Sequence, residues 1–472
     1  MIRPRFPRIS VFAAVAVLAC ADPTTSPDSK SLSVAGPVRS VAVAGQANGR
    51  HLVTFNGAAP ADFAGRVAAL GGSVTRTISA IGIAAVEGLS DAAAVQLAAS
   101  SGIARVDANG DVQLEPTLVE PPEAAGTDVI VSSAAQPNLA TRFARQWHLR
   151  AIQADQAWAA GYLGSSAVKV FILDTGIDYR HLDLAGRVDL ALSKSFIPSD
   201  DAVVAATFPG AHPIADLHFH GTHVGATVSS NAIVTAGVTS RVTLVGVKVL
   251  SRTGSGPWDA ILAGIAYAAD NGADVINMSL GASFGKAGNG AFMASLNRAT
   301  NYAFSKGTVV VVSAGNSAID LDHDGNGYKV FCSSPNVVCV SATGPTAGGT
   351  AGPWVNVDAL AGYSNYGRSS ISVAAPGGNS GGFVWAPCSG FSMQTGLTVC
   401  QTGTFIVGST GTSMASPHVA GVAALLVEKL GANNPAQVRA ALAKTSDDLG
   451  QAGVDPAYGR GRVNAFRAVS IQ

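Results

Sequence analysis

From about residue 145 onward, short apolar runs alternate with stretches of helical periodicity, and this alternation limits the fold more than any other feature. The clearest run is VKVFIL at 168–173, which ends in Asp174-Thr175-Gly176. A nearly continuous apolar run is typical of a parallel strand that is buried on both faces. The alternation predicts an α/β domain with a doubly wound, mostly parallel sheet and helices on both faces. Ligands of such a sheet bind beyond the carboxyl ends of its strands.

The same reasoning places the other elements. Further buried strands are predicted at 243–249, 273–278, 308–312 and 337–341, and helices at 220–229, 258–271, 292–306, 413–430 and near 435–444. A small α+β unit is predicted before this domain, with a strand at 51–55, helices at 61–70 and 90–99, a strand pair within 72–86 and closing strands between 103 and 114. The chain therefore contains two folded units of different size.

Composition sets the boundaries between these units. The two stretches between folded segments are rich in Pro, Ser, Thr, Ala or Gly, so both are predicted to be linkers, the second exposed and open to proteolysis. The predicted organisation is a signal segment at 1–21, a linker at 22–49, the small unit at 50–115, an exposed linker at 116–144 and the α/β domain at 145–472.

The N-terminus has the pattern of an export signal. Arg3, Arg5 and Arg8 precede an apolar run at 9–19 that is too short to span a membrane comfortably. Two modes of removal are open, because ACA at 19–21 fits a cleavage site while VLAC resembles a bacterial lipoprotein box. The protein is therefore expected to be secreted or extracytoplasmic, either free or anchored at the cell envelope by a lipid on Cys20.

Charge argues against a nucleic-acid partner. Only 13% of the residues are charged, and the formal net charge is zero. Proteins that bind nucleic acid carry basic stripes or runs of like charge, and neither is present.

Four cysteines remain if Cys20 is set aside. In an oxidising compartment, an even number at short separations favours two disulfides over free buried thiols. Of the three connectivities, the sequence-local one is predicted, which joins Cys332 to Cys339 and Cys388 to Cys400.

Three chemically complementary residues lie at strand ends or helix starts. Asp174 ends the strongest predicted strand, His220 begins one predicted helix, and Ser413 begins another. A serine hydroxyl becomes a nucleophile when an imidazole takes its proton and a carboxylate orients that imidazole. Asn316, after the strand at 308–312, can donate to an oxyanion. The alternative roles are a turn residue, a buried core histidine and a helix cap.

These residues lie in motifs that resemble the signatures of the subtilisin-like serine proteases, the subtilases. The motifs are DTGI at 174–177, HGTHV at 220–224, NMSLG at 277–281, AGN at 314–316 and GTSMASP at 411–417, and the resemblance covers roughly 145–470. It implies that Asp174 orients His220, that His220 is general base and acid, that Ser413 is the nucleophile and that Asn316 supports the oxyanion. It also implies no cofactor for the chemistry, and polypeptide substrates.

The resemblance extends to substrate binding and activation. It implies that two main-chain segments flank the substrate like edge strands. These segments are Ser279-Leu280-Gly281 and Ser313-Ala314-Gly315. The unit at 50–115 resembles the inhibitory pro-domain of the family, so the chain is expected to be a zymogen inhibited by its own pro-domain and cut between 115 and 145.

The sequence contains two candidate metal sites. The oxygen ligands Asp320, Asp322, Asp324 and Asn326 alternate in a glycine-containing loop that suits calcium as a structural ion, with a solvated acidic turn as the alternative. Asp183 lies where many subtilases supply a calcium ligand. The facing loop at 231–237 is poor in carboxylates, which puts that second site in doubt.

Two other interpretations of the whole chain stay open at this stage. One is a catalytically silent subtilase fold that serves as a binding or scaffold protein at the cell surface, and the other is an esterase. Four filled catalytic positions argue against the first, and the absence of Gly-x-Ser-x-Gly around Ser413 argues against the second. The nearby histidines His218, His223 and His418 are predicted to be structural.

Overall fold

The computed structural model describes residues 49–126, 133–281, 283–285, 290–323, 327–329, 331–431 and 434–471. The predicted signal segment and nearly all of the linker that follows it therefore lie outside the described residues, as do Asp324 and Asn326. No helix within the described residues is long and apolar enough to cross a membrane.

The N-terminal unit is a four-stranded antiparallel sheet covered by two helices. Its elements are β1 (His51–Phe55), α1 (Phe63–Ala69), β2 (Ser73–Ile78), β3 (Ile83–Glu87), α2 (Asp91–Ala98) and β4 (Ile103–Ala108). The strand order is β2-β3-β1-β4. Helix α2 begins where the sequence predicts, because the Ser90 side chain accepts a hydrogen bond from the Ala93 N–H. Apolar side chains of β1, β3 and both helices form a core of their own.

The remaining elements belong to the connection and the large domain. They are β5 (Asp111–Gln113), β6 (Glu123–Ala124), α3 (Trp147–Ala151), α4 (Ala154–Ala159), β7 (Lys169–Asp174), β8 (Lys194–Ser195), α5 (Pro198–Thr207), α6 (His220–Val228), β9 (Thr243–Lys248), β10 (Ser255–Pro257), α7 (Trp258–Asp270), β11 (Val275–Met278), β12 (Ser283–Gly285), α8 (Gly290–Ser305), β13 (Val309–Ser313), β14 (Gly327–Lys329), β15 (Val337–Thr343), β16 (Val373–Pro376), β17 (Val384–Pro387), β18 (Phe405–Ser409), α9 (Thr412–Leu430), α10 (Pro435–Thr445) and α11 (Ala465–Val469).

A seven-stranded parallel sheet with helices on both faces organises the large domain, which confirms the predicted fold class. Its order is β16-β15-β13-β11-β7-β9-β8, and all its pairs are parallel. Successive side chains of β7 alternate between the two faces. Val170 and Ile172 pack in the core that contains α9, whereas Phe171 and Leu173 pack in the core that contains α7 and α8.

The sequence misplaced β5 and did not predict several elements. Strand β5 was predicted to close the small unit, but it pairs antiparallel with β10 of the large domain. Helix α5 and strands β16, β17 and β18 were not predicted, since they lack a long apolar run. Strands as short as β5 take their partner from whichever exposed sheet edge is near, which local periodicity cannot indicate.

The predicted exposed linker at 116–144 is tied down along part of its length. Leu118 accepts a hydrogen bond from the Thr410 N–H at 3.0 Å, and Glu120 N–H donates to Gly408 O at 2.8 Å. Strand β6 then pairs with β18. The first half of this stretch therefore acts as an added strand, because the edge of β18 offers free main-chain groups.

Both sequence-local cysteine pairs form disulfides. Cys332 is joined to Cys339, seven residues later, and Cys388 to Cys400, twelve residues later. The second disulfide packs with Phe219, the residue immediately before α6.

Candidate active site

Three elements bring the predicted catalytic residues to one edge of the sheet. Asp174 is the last residue of β7, His220 is the first of α6, and Ser413 lies in the first turn of α9. Helices α6 and α9 pack against each other. All three side chains are buried, with exposed fractions of 0%, 2% and 5% respectively. This is the carboxyl edge of the strands, where a parallel sheet places its ligands.

A short hydrogen bond fixes the His220 ring. Its Nδ1 donates to Asp174 Oδ1 at 2.8 Å, and the same oxygen accepts the Thr175 N–H at 2.7 Å. A protonated Nδ1 leaves Nε2 as the basic nitrogen of the neutral ring. Among the described residues, Nε2 has no hydrogen-bond partner. The ring therefore carries a free acceptor, which is what a general base needs.

The first turn of the helix that carries Ser413 is anchored by residues at and after the end of β11. The Ser413 hydroxyl donates to Ser279 O at 3.2 Å, and the Ser279 hydroxyl donates in return to Ser413 O at 2.7 Å. The Ser279 hydroxyl also contacts Ser416 Oγ at 2.8 Å and accepts from Asn277 Nδ2 at 3.0 Å. Gly411, at φ 149°, makes the turn into α9, a conformation that favours glycine. The first turn of α9 is thus held by buried polar contacts, with its N-terminus toward the cleft.

Asn316 lies just beyond β13 and faces the start of α9. Its Oδ1 accepts the Thr412 N–H at 2.9 Å and the Thr412 hydroxyl at 2.8 Å. These contacts turn Nδ2 toward the cleft, where it donates to Pro116 O at 3.3 Å. A donor in this place is suited to a carbonyl oxygen that gains negative charge.

The two predicted substrate-binding segments form the walls of the cleft. Ser279-Leu280-Gly281 follows β11, and Ser313-Ala314-Gly315 begins at the end of β13. Glu115 lies between them, since a Cβ added at Gly281 would lie 2.7 Å from its carboxyl carbon, and one at Gly315 would lie 3.0 Å from Oε1. The Asn316 N–H donates to the same carboxylate. The walls are therefore already in contact with a side chain of this chain.

Asp216 is a buried residue of the site that the sequence analysis missed. Its carboxylate accepts the Thr175 hydroxyl at 2.8 Å and the Thr222 hydroxyl at 2.6 Å. It also accepts the main-chain N–H groups of His218, Phe219 and Thr222 at 3.0, 3.2 and 2.9 Å. An aspartate shortly before a predicted helix is a capping signal that was present in the sequence.

Two of the histidines predicted to be structural make no contact with Asp174 or Ser413. His418 Nδ1 lies 2.8 Å from Met414 O, and its Nε2 lies 2.8 Å from His148 Nδ1. His223 Nε2 lies 3.1 Å from Val384 O. Burial lowers the pKa of His223 to about 3 and that of His418 to about 4, so both are neutral near pH 7.

The third, His218, stacks on Phe219 beside the catalytic ring. The ring centroids of His218 and Phe219 are 5.0 Å apart. Burial lowers the pKa of His218 to about 4 even though the Asp216 carboxylate opposes the shift. His218 is therefore a neutral imidazole near pH 7, and its ring centroid lies 6.3 Å from that of His220.

The predicted calcium loop is only partly described. The Asp320 carboxylate is bonded to the His323 ring at 2.9 Å, and that of Asp322 accepts the hydroxyls of Ser369 and Ser370 at 2.7 and 2.9 Å. The described residues contain no cluster of three or more His, Cys, Asp or Glu that could hold a metal ion. Because Asp324 and Asn326 lie outside those residues, calcium binding here stays a prediction.

The Asp183 carboxylate is hydrogen-bonded by the loop that faces it. Oδ1 accepts the N–H groups of Ile233 and Val234 at 2.9 and 2.8 Å. Oδ2 accepts the N–H and the hydroxyl of Thr235 at 2.9 and 2.8 Å. Four donors from the facing loop therefore satisfy the carboxylate, and the residues present do not fit a cation at this position.

Comparisons with known proteins agree with this geometry. A sequence model described as the subtilase family matches residues 165–461. Thermitase of Thermoactinomyces vulgaris is 34% identical over 328 residues, 69% of this chain and 96% of thermitase. Subtilisin DY of Bacillus licheniformis is 35% identical over 320 residues, 67% of this chain and 96% of that protein.

A solved structure extends the likeness to the fold of nearly the whole chain. The epidermin leader peptide processing serine protease of Staphylococcus aureus has a TM-score of 0.69 and covers 89% of this chain and 98% of its own. At 22% identity, this likeness concerns the fold alone.

Proposed function

Since this chain belongs to the subtilase family and is a serine endopeptidase, we propose that it is an exported zymogen that cuts polypeptides through an acyl-enzyme on Ser413. The observation that carries the catalytic part is the hydrogen bond of 2.8 Å between Asp174 and His220, at the edge of the sheet where Ser413 begins α9. The zymogen part depends on the segment that lies in the cleft.

The proposed mechanism gives each of the four side chains a defined role. After rotation away from Ser279 O, the Ser413 hydroxyl gives its proton to His220 Nε2 while its oxygen attacks the substrate carbonyl. Asp174 stabilises the imidazolium that forms. Asn316 Nδ2 and the Ser413 N–H donate to the oxyanion, and His220 then protonates the leaving nitrogen. Water hydrolyses the acyl-enzyme by the same steps.

The N-terminal unit is well placed to act as an inhibitor. Ile78 and Ile81 pack in the same core as Trp258, the first residue of α7. Arg76 forms an ion pair with Asp259 at 3.1 Å, and Asn109 Nδ2 donates to the same carboxylate at 2.7 Å. An apolar contact with buried polar anchors supports a docked domain and not a loosely tethered one.

The chain after this unit supports inhibition of the cleft itself. Strand β5 lies on β10, Leu114 N–H donates to Gly254 O at 2.8 Å, and Glu115 lies between the cleft walls. Beyond Pro116, Leu118 pairs with Thr410, just before α9. A continuous segment thus covers both sides of Ser413 as an added strand and excludes other polypeptides.

Intact mass measurement of the wild type and of Ser413→Ala tests the proposal. The wild type is expected to lose its N-terminus up to a bond between 115 and 145, and the variant is expected to keep it. Loss in both would assign maturation to another protease. A wild type that does not react with a fluorophosphonate even after its N-terminal unit has been removed by an added protease would support the silent scaffold instead.

Export is the remaining part of the proposal, and it takes one of two forms. A processed chain without lipid would be free, and a chain whose N-terminus is a lipid-modified Cys20 would be anchored to a membrane surface. Mass measurement of the unprocessed Ser413→Ala protein from the cell envelope distinguishes them, because the lipid adds mass and is lost on Cys20→Ser.

A further inference from the structure

The Asp216 carboxylate is the point where the turn before His220 meets the strand that ends in Asp174. It is fully buried and accepts five hydrogen bonds from three short stretches of chain. Oδ1 takes the Thr175 hydroxyl and two main-chain N–H groups, and Oδ2 takes both donors of Thr222. The two oxygens of a carboxylate offer about four lone-pair sites. Five donors therefore fill the hydrogen-bonding capacity of Asp216.

Thr175 links this carboxylate to both members of the catalytic pair. Its N–H donates to Asp174 Oδ1 at 2.7 Å, and its hydroxyl accepts the Gly221 N–H at 3.0 Å while donating to Asp216. Asp174 and Thr175 are adjacent in sequence, as are His220 and Gly221. The position of the ring relative to Asp174 is therefore set by a continuous chain of buried hydrogen bonds.

The turn that Asp216 holds has a strained backbone. Phe219 has φ 151° and ψ −26°, a region that side-chain-bearing residues rarely adopt. Its N–H is one of the groups bound by the carboxylate, and that of His218 is another. A strained residue immediately before a catalytic side chain persists only when its surroundings over-determine it.

A buried lysine contacts the main chain next to Asp216. Lys248 is fully buried, and its Nζ donates to Ala215 O at 2.6 Å. Burial lowers the pKa of Lys248, while Asp200 and Asp216 oppose that shift. The Lys248 side chain therefore anchors the main chain immediately before Asp216.

We propose that Asp216 is a positioning residue of the protease, which acts through Thr175 and Phe219 to fix the distance and angle between Asp174 and His220. The inference rests on the proposed catalytic roles of these two residues. The Asp216 carboxylate forms its hydrogen bonds with Thr175, His218, Phe219 and Thr222 and not with Glu115 or Ser413, so its loss is expected to slow the chemical step and leave substrate binding nearly unchanged.

Asp216→Asn tests this against a matched buried carboxylate, Asp183→Asn. Each native carboxylate is fully buried and takes both N–H and hydroxyl donors, but Asp183 binds only the loop at 231–237. The proteins are activated by a trace of wild-type enzyme, and active sites are counted by fluorophosphonate labelling. We expect Asp216→Asn to lower kcat about 100-fold with KM within about threefold, because a small misplacement of a catalytic group costs this much. We expect Asp183→Asn to lower the thermal midpoint and keep kcat within about twofold.

A milder pair of variants covers the case in which Asp216→Asn does not fold. Thr175→Val removes the bridging hydroxyl, and Thr175→Ser restores it. We expect kcat to fall about tenfold in the first and to stay near the wild type in the second, both measured well below the thermal midpoint, which Thr175→Val lowers by leaving the Gly221 N–H unpaired. Equal kcat losses for Asp216→Asn and Asp183→Asn, or for both Thr175 variants, would overturn the inference while the wild type is active. An inactive wild type would instead refute the proposed function.

Discussion

The side chain of Asn316 is clamped by Thr412, whose N–H and hydroxyl both donate to Asn316 Oδ1, at 2.9 and 2.8 Å. Thr412 is also the first residue of the helix that carries Ser413. The clamp uses only the carbonyl end of the amide, so Nδ2 faces the cleft, where it donates to Pro116 O at 3.3 Å. The acceptor of this side chain therefore holds the start of the helix, and we propose that its donor serves the oxyanion of a substrate.

This separation predicts the outcome of Asn316→Asp. The variant keeps an acceptor for Thr412, loses the cleft-facing donor and places a carboxylate oxygen where the oxyanion would form. We expect kcat on a peptide substrate to fall about 100- to 1000-fold, the usual cost of one missing oxyanion donor, with little change in KM or in the thermal midpoint. Asn316→Ala is the control that removes both roles, and it is expected to lower the midpoint as well. A kcat for Asn316→Asp within a few-fold of the wild type would contradict the assignment.

A second prediction concerns Pro116. The side chain between the cleft walls is that of Glu115, but the carbonyl that faces Asn316 Nδ2 is that of Pro116. Proline fixes its own φ and restricts the residue before it, so the segment adjusts poorly toward Ser413. Pro116→Ala is expected to accelerate self-cleavage between 115 and 117, which intact mass against time would show. The same change in Ser413→Ala should give no cleavage. A wild-type enzyme that starts at residue 116 or 117 would contradict this.

The disulfides give a prediction for stability. Cys388–Cys400 closes the longer loop and packs against Phe219, the strained residue before His220. Loop-closure entropy predicts that replacing both of these cysteines by Ser lowers the free energy of unfolding by about 3 kcal/mol, and slightly less for the shorter Cys332–Cys339 loop. Denaturant unfolding of proteins that carry Ser413→Ala measures both without self-digestion. A larger loss for Cys332–Cys339 would contradict the argument.

Much of this architecture could be predicted from the sequence, and the reason is visible in β13. Its sequence, VVVVS, is apolar on both faces because the strand is central in a covered sheet. Strand β5 has no such pattern, and its partner β10 lies more than a hundred residues away, so its pairing could not be deduced locally. The contact between His148 and His418 spans 270 residues and also required the fold.

Calcium binding by the loop at 320–326 can be tested by the change in thermal midpoint that added calcium causes. If the loop at 320–326 binds calcium, the ion raises the thermal midpoint of the Ser413→Ala protein, and a chelator lowers it. Asp320→Asn lowers the midpoint in any case, since its carboxylate holds His323, so the relevant quantity is the change on adding calcium. We expect that change to vanish in Asp320→Asn and to persist in Asp183→Asn. A midpoint that is unaffected by chelator in the parent protein would refute calcium binding.

The buried histidines predict how stability depends on pH. Burial lowers the pKa of His223 to about 3, that of His418 to about 4, and that of His148 well below its ordinary value. An unfolded chain protonates its histidines near pH 6.5. Between about pH 6.5 and 4 the unfolded state therefore binds more protons, and the free energy of unfolding falls as the pH is lowered, by at most about 1.4 kcal/mol per pH unit for each ring.

The pair formed by His148 and His418 allows this dependence to be tested with one substitution. His148→Gln removes one of the depressed histidine titrations while keeping a side chain that can donate to His418 Nε2. Denaturant unfolding of the Ser413→Ala protein at several pH values is expected to show a shallower loss between pH 6.5 and 4 in this variant. His323→Asn is the control: that ring is exposed and its pKa is raised by the Asp320 carboxylate, so its removal is expected not to flatten the curve. A ring that is neutral in the folded state and charged in the unfolded state adds to the proton uptake on unfolding, so its removal must reduce that uptake. An unchanged slope in His148→Gln would therefore mean that the acid sensitivity comes from other groups.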